Sequence, residues 1–236
     1  ANTYYQQSRL TDLFADQSFE HRLFSIHQAM TGDCHELLTG ISGKRKTAAM
    51  FYVMTLPEIL DLVGFLIGPE ILAHPQFNAR AKLPDRTSVV PWHQDLGYLH
   101  KSAEETFMVN IWLPLVDANA ENGCLEVIRG SHNCGILPYN SGGAEDLVPE
   151  SIPEGEVVCC PLQVGGVLML QHKTVHRSTP NFSNHILWGL DIRYSDPALP
   201  TGRDHVPGFL VRSVSQPNRV AKDHHDWLKL FAENED

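Results

Sequence analysis

The sequence predicts an α+β fold, mainly β, in which N-terminal helices buttress an antiparallel sandwich or barrel. Three observations lead there. Helical periodicity is confined to residues 1–68 and to the extreme C-terminus. Beyond Pro69 the chain breaks into short β-like runs punctuated by Pro, Gly, Asn and Asp. Helices set before a run of strands in this way are the pattern of an α+β domain. No Ser/Gly/Pro linker divides the 236 residues, so one domain is expected over 1–236: a helical part over 1–68, a β core over about 69–212 and a C-terminal helix over about 223–234.

Phe19, Leu23, Phe24, Ile26 and Met30 recur at helical spacing and predict a helix over 18–30, and a second helix fits 57–67, opening on Pro57. A Gly- and Lys-rich connector, 39–46, lies between them. Strands are expected near 72–82, 106–116, 123–128, 157–161, 167–171 and 185–194. The stretch 139–154 is acidic and rich in Gly and Pro, and is expected to be a surface excursion. Trp227, Leu228, Leu230 and Phe231 give the terminal segment an apolar face with which to dock.

Composition excludes several function classes. Lys and Arg total 18 against 28 Asp and Glu, a formal net charge of −10, which argues against nucleic acid or an anionic membrane as partner, since both need a clustered basic footprint. The longest apolar stretch, 56–67, carries Glu58 and Asp61 and is too short to span a bilayer. The opening Ala-Asn-Thr-Tyr-Tyr has no signal-peptide blocks and no Met, so the chain is expected to be trimmed at its start. Cys34, Cys124, Cys134, Cys159 and Cys160 are odd in number and include an adjacent pair, a poor disulfide framework; a cytoplasmic setting is the expectation. The 13 His exceed what packing needs.

The densest cluster of unusual residues is Val90-Pro-Trp-His-Gln-Asp-Leu-Gly-Tyr98. In an extended chain residues two apart share a face, so His93 and Asp95 can aim at one point while Gln94 points away. A third ligand should arrive from a distant strand. His176 is the preferred candidate, where the apolar run from Gly165 meets polar residues; His172, four residues earlier and expected on the same strand face, is the competitor. Two His and one carboxylate on one face of a metal leave positions open, the arrangement of non-haem Fe(II) oxygenases.

Further motifs bring a specific resemblance: Trp92-His93-Gln94-Asp95, Trp112 to Asp117, Asn122-Gly123-Cys-Leu125-Glu-Val127, Gly130-Ser131-His132, Gly165 to Leu170, His176-Arg-Ser178-Thr-Pro-Asn181 and Trp188 to Tyr194. In this order they resemble the phytanoyl-CoA dioxygenase family of Fe(II)- and 2-oxoglutarate-dependent oxygenases, over roughly 72–195. The resemblance implies a double-stranded β-helix, or cupin-like jelly roll, with His93, Asp95 and His176 as iron ligands and with 2-oxoglutarate and O₂ as cosubstrates. It implies that Ser178 hydrogen-bonds the distal carboxylate of 2-oxoglutarate and that Trp112 lines its pocket. The retained Asp95 disfavours halogenation, which in this family needs a small residue there. The family's opening strand-and-helix segment has no clear counterpart.

One departure stands out. The family's cosubstrate-anchoring Arg, eleven residues after the distal His, is Leu187 here. A buried carboxylate without a cation or several donors costs several kcal/mol, so either another base substitutes, or the 2-oxo acid or its pose differs, or activity is lost. Arg80, Lys82, Arg177 and His185 are the candidate substitutes; Arg193 shares the face of Leu187 but lies about 20 Å along the strand.

The expected function is hydroxylation, or another oxidation, of a C–H bond in a small metabolite or natural-product intermediate by a monomer or homodimer. Gln76, Asn78 and Arg80 alternate on one face of the strand leading to the metal motif and are expected to reach the pocket, with Tyr98, His100 and Lys101 at its mouth. The acidic chain does not advertise a CoA ester as substrate. A catalytically inactive metal-binding jelly roll and a Zn(II) hydrolase using the same three ligands are the alternatives, the second without an evident general base.

Overall fold

The computed structural model describes residues 14–29, 45–84, 89–140, 146–203 and 205–232. Among the described residues three helices come first: α1 (Phe19–Ala29), α2 (Ala48–Met54) and α3 (Pro57–Ile67). Ten strands follow: β1 (Ile71–Ala73), β2 (Asn78–Lys82), β3 (Val90–His93), β4 (Met108–Pro114), β5 (Leu125–Ile128), β6 (Val157–Cys160), β7 (Leu168–Gln171), β8 (His176–Ser178), β9 (Leu187–Ser195) and β10 (Phe209–Arg212). The last described element is α4 (His224–Ala232). Met30, most of the 39–46 connector, residues 141–145 of the acidic excursion and 233–236 lie outside the described residues.

The strands form two antiparallel sheets. The larger runs β10-β1-β9-β4-β7, with β2 also on β9; the smaller runs β3-β8-β5-β6. This is the expected class, an α+β fold with a double-stranded jelly-roll core flanked by N-terminal helices. Helices α2, α3 and α4 cover the outer face of the larger sheet, where Met54, Val63, Ile192, Tyr194 and Trp227 are buried in one apolar cluster. Trp227 inserts beside Phe77 and Phe209, with ring centroids 5.4 and 5.1 Å away. Because successive residues of a strand alternate, Leu190, Ile192 and Tyr194 of β9 meet the helices, while Leu187, Gly189, Asp191 and Arg193 line a cavity between the sheets.

No single helix among the described residues is long and apolar enough to cross a membrane. The bent pair α2 and α3 passes that test only jointly, and its apolar residues Met50, Phe51, Ile59 and Leu60 are buried in the core.

Three expectations change. The strand expected over 72–82 is split: β1 and β2 both pair with β9, but His74 to Phe77 bulge out between Ala73, opposite Tyr194, and Asn78, opposite Asp191. Pro75, which has no N–H to give to a ladder, sits in that bulge. The run 165–178 is two strands in different sheets, because the chain turns after β7, with Thr174 N–H donating to the Gln171 carbonyl at 2.8 Å. His172 and His176 therefore do not share a strand face. The excursion over 139–154 is not purely superficial: Leu147 is buried and its N–H donates to the Trp92 carbonyl at 3.0 Å.

Candidate metal centre and its cavity

His93 ends β3, Asp95 opens a short 3-10 turn after it, and His176 opens the neighbouring β8, where it lies opposite His93. The ladder thus delivers two imidazoles side by side, with ring centroids 4.1 Å apart. Gln94, between the ligands, is extended and points the other way, as the alternation predicts. It is fully buried: its Nε2 donates to the carbonyls of Gly135 (2.8 Å) and Lys173 (2.7 Å), and its Oε1 accepts the Leu137 N–H (2.9 Å). The Tyr139 hydroxyl accepts the Gln94 N–H at 2.7 Å and donates to its carbonyl at 2.6 Å. The ligand turn is therefore tied on all sides to loops remote in sequence.

His93, Asp95 and His176 are all buried, and one donor atom of each lies within 4.8 Å of the others. Each Nδ1 meets a main-chain carbonyl, Pro91 for His93 and Thr174 for His176, both at 2.9 Å. A carbonyl can only accept, so Nδ1 carries the proton and Nε2 presents its lone pair. The two Nε2 atoms stand 4.0 Å (His93) and 3.8 Å (His176) from Asp95 oxygens, under twice a bond of about 2.2 Å. Burial, reinforced by the neighbouring His176, pushes His93 down to about 3, so it is neutral and ligand-competent at physiological pH. The donor set fits a divalent ion such as Fe(II): two imidazole nitrogens, one carboxylate and an open side towards the cavity.

Asp95 is held from the larger sheet. Arg193 Nη2 donates to Oδ1 and Asn110 Nδ2 to Oδ2, and Asn110 and Arg193 are register partners on β4 and β9. Burial alone would raise this carboxyl, but Arg193, His176 and His93 outweigh it and hold it ionised well below its usual range. Sequence reasoning missed both partners. The available signal was a polar residue in each of two otherwise apolar strands, and nothing in the sequence said that they converge on Asp95.

A cavity of about 340 Å³ opens beside the triad. Trp112, Ser178, Arg80, Lys82 and Leu187 line it. Ser178 Oγ accepts the Val90 N–H at 2.9 Å and keeps its own O–H to donate. Arg80 pairs with Asp191 at 2.8 Å and its side chain is 55% exposed, which puts it at the rim. Lys82, the register partner of Leu187, donates to the carbonyls of Gly123 (3.1 Å) and Thr179. Other candidates lie elsewhere. Gln76 belongs to the bulge, so the expected alternation begins only at Asn78, and its N–H donates to His74 Nδ1. His185 accepts from Asn122 Nδ2 at 3.3 Å and is not among the cavity residues. Arg177 pairs with Glu126 at 2.7 Å and lies over the Trp92 ring, outside the cavity. His172 is not in the triad; its Nδ1 accepts the Met108 N–H at 3.1 Å, on the larger sheet.

The phytanoyl-CoA dioxygenase (PhyH) family profile matches residues 10–186. The chain belongs to the phytanoyl-CoA dioxygenase family. Its match to the human peroxisomal phytanoyl-CoA dioxygenase is 32% identical over 119 residues, covering 49% of this chain and 35% of that protein. L-proline trans-4-hydroxylase of Streptomyces griseoviridis is 34% identical over 87 residues, covering 36% of this chain and 32% of the relative. The matched segments thus span about a third of the length of these two curated relatives. The solved structure of the non-haem monooxygenase ThoJ superposes with a TM-score of 0.66 at 22% identity, over 92% of this chain and 84% of that one, a likeness of fold.

Proposed function

We propose that this phytanoyl-CoA dioxygenase family protein is a non-haem Fe(II) oxygenase that consumes O₂ and a 2-oxo acid, 2-oxoglutarate being the family's cosubstrate, to hydroxylate or otherwise oxidise a C–H bond of a small molecule. The observation that carries this reading is the buried triad with both Nδ1 atoms bound to carbonyls, so that two Nε2 lone pairs and Asp95 share one point. Iron(II) held there, together with a 2-oxo acid and O₂, supplies the oxidising power for C–H hydroxylation.

The chain's own residues do the rest. Arg193 and Asn110 keep Asp95 charged and oriented. Val90, Trp112, Leu125, Leu170 and Leu187 give the cavity an apolar wall that limits water. A volume of about 340 Å³ is at the small end for ligand sites and favours a compact metabolite or natural-product intermediate over a CoA ester. The proline hydroxylase among the relatives is in keeping with a small substrate.

The test is anaerobic loading with Fe(II), followed by O₂ uptake in the presence of 2-oxo acids, with 2-oxoglutarate turnover read as succinate. Metal-dependent uptake is the expected result. Tight Zn(II) with no uptake for any 2-oxo acid would overturn the reading in favour of a hydrolase. A second reading, a metal-binding jelly roll without oxygenase activity, draws on Leu187 in place of the anchoring Arg.

A further inference from the structure

Leu187 is 4% exposed, lines the cavity and packs in an apolar cluster with Trp112, Ile186 and Trp188. At the opposite end of β9, Arg193 is 3% exposed and lines the same cavity, yet only its Nη2 is engaged, on Asp95; Nε and Nη1 have no hydrogen-bond partner. Leaving two nitrogens of a guanidinium, three N–H donors, unpaired in a buried site is costly. Arg193 thus offers unpaired donors beside the triad, whereas the position where the family places its Arg is hydrocarbon, with Lys82 on the facing strand.

We infer that Arg193 holds the carboxylate of the metal-bound 2-oxo acid through the donors Asp95 leaves unused, and that the cavity accordingly prefers 2-oxo acids with an apolar tail, such as 4-methyl-2-oxopentanoate, over 2-oxoglutarate. This rests on the oxygenase reading above and narrows its cosubstrate. An aliphatic tail against Leu187 loses no hydrogen bonds, whereas a second carboxylate there has to be desolvated without the family's guanidinium. Lys82 is the rival anchor. It lies across from Leu187, but its ammonium already donates to the Gly123 and Thr179 carbonyls, bracing β2 against the loops of the smaller sheet.

The experiment is equilibrium binding of 4-methyl-2-oxopentanoate and of 2-oxoglutarate to the Fe(II)-loaded protein without O₂, read from the visible charge-transfer absorption of the chelate, with metal content measured in parallel. The unaltered protein should bind the monoacid at least about tenfold more tightly. Leu187→Arg should reverse that order. With Fe(II) added to full occupancy, Arg193→Gln should weaken both acids about tenfold or more, and Arg193→Lys less so. Tighter binding of 2-oxoglutarate by the unaltered protein, abolished in Lys82→Met, would overturn the inference and leave the oxygenase reading standing. Binding of neither acid to the fully metal-loaded protein would overturn both.

Discussion

The hydroxyl of Tyr139 closes both main-chain groups of Gln94, accepting its N–H at 2.7 Å and donating to its carbonyl at 2.6 Å. One phenol from the 139–154 segment thus fixes the peptide between two metal ligands. Burial, partly offset by the Gln94 hydrogen bond, pushes that phenol up to about 12, so it stays a protonated donor at any working pH.

Tyr139→Phe should leave the buried Gln94 N–H unpaired and its carbonyl with only the Gly97 N–H, costing about 1–3 kcal/mol, and should lower metal affinity. Gly97→Ala should do similar harm from the other side, since a Cβ there would fall 2.0 Å from Tyr139 Cζ. Metal titration and denaturant unfolding of both variants check this. Unchanged metal affinity in Tyr139→Phe would separate the clamp from the site.

His176→Ala should abolish stoichiometric metal binding. His172→Ala should keep it and lose only about 1–2 kcal/mol of stability, because it leaves the buried Met108 N–H on the larger sheet without its acceptor. Metal analysis of the two purified variants decides. A metal-replete His176→Ala protein would mean that the triad is wrong.

Without metal, the protein should be acid-labile well above carboxylate pH. Burial pushes His93 to about 3 and both His74 and His172 to about 4, against an unfolded value near 6.5. Below about 6.5 the unfolded chain takes up protons that the folded chain refuses, so stability falls as pH drops towards 4 and is flat above that window. Each such histidine contributes up to about 1.4 kcal/mol per pH unit. Urea unfolding at about pH 8, 6.5 and 5 should show a loss of at least about 2 kcal/mol over the last step. A flat profile would contradict the buried, neutral state of these rings.

Trp227→Ala should destabilise by about 3–5 kcal/mol, because α4 docks chiefly through this side chain, which is 1% exposed. At low temperature the folded fraction should still bind metal, since the cluster lies on the helix-covered face of the larger sheet. Thermal melts with and without metal provide the measurement.

Several elements were legible because their cause is local. Pro57 and the apolar period that follows predict α3 with both ends correct. Strand β9 reads from its run of apolar and aromatic residues. By contrast, α2 is Ala-Ala-Met-Phe-Tyr-Val-Met, too short and too uniformly apolar to show a period, and β8 has only three residues. The bulge at His74–Phe77 and the turn at 172–175 broke two stretches read as continuous strands, because strand pairing, not composition, decides where a ladder is interrupted.

The sequence by itself determined the candidate metal triad, with His172 left as competitor to His176, the fold class and the family resemblance, including the missing Arg at Leu187. Those depend on residue identities at short spacings and on the order of motifs along the chain. Only the tertiary structure decided that Asp95 meets Asn110, 15 residues away, and Arg193, 98 residues away. It also decided that Gln76 and His185 stand apart from the cavity and that the acidic excursion clamps the ligand turn. The physical reason is that these contacts join segments far apart in the chain, where pairing register and packing, not local spacing, set which side chains face each other.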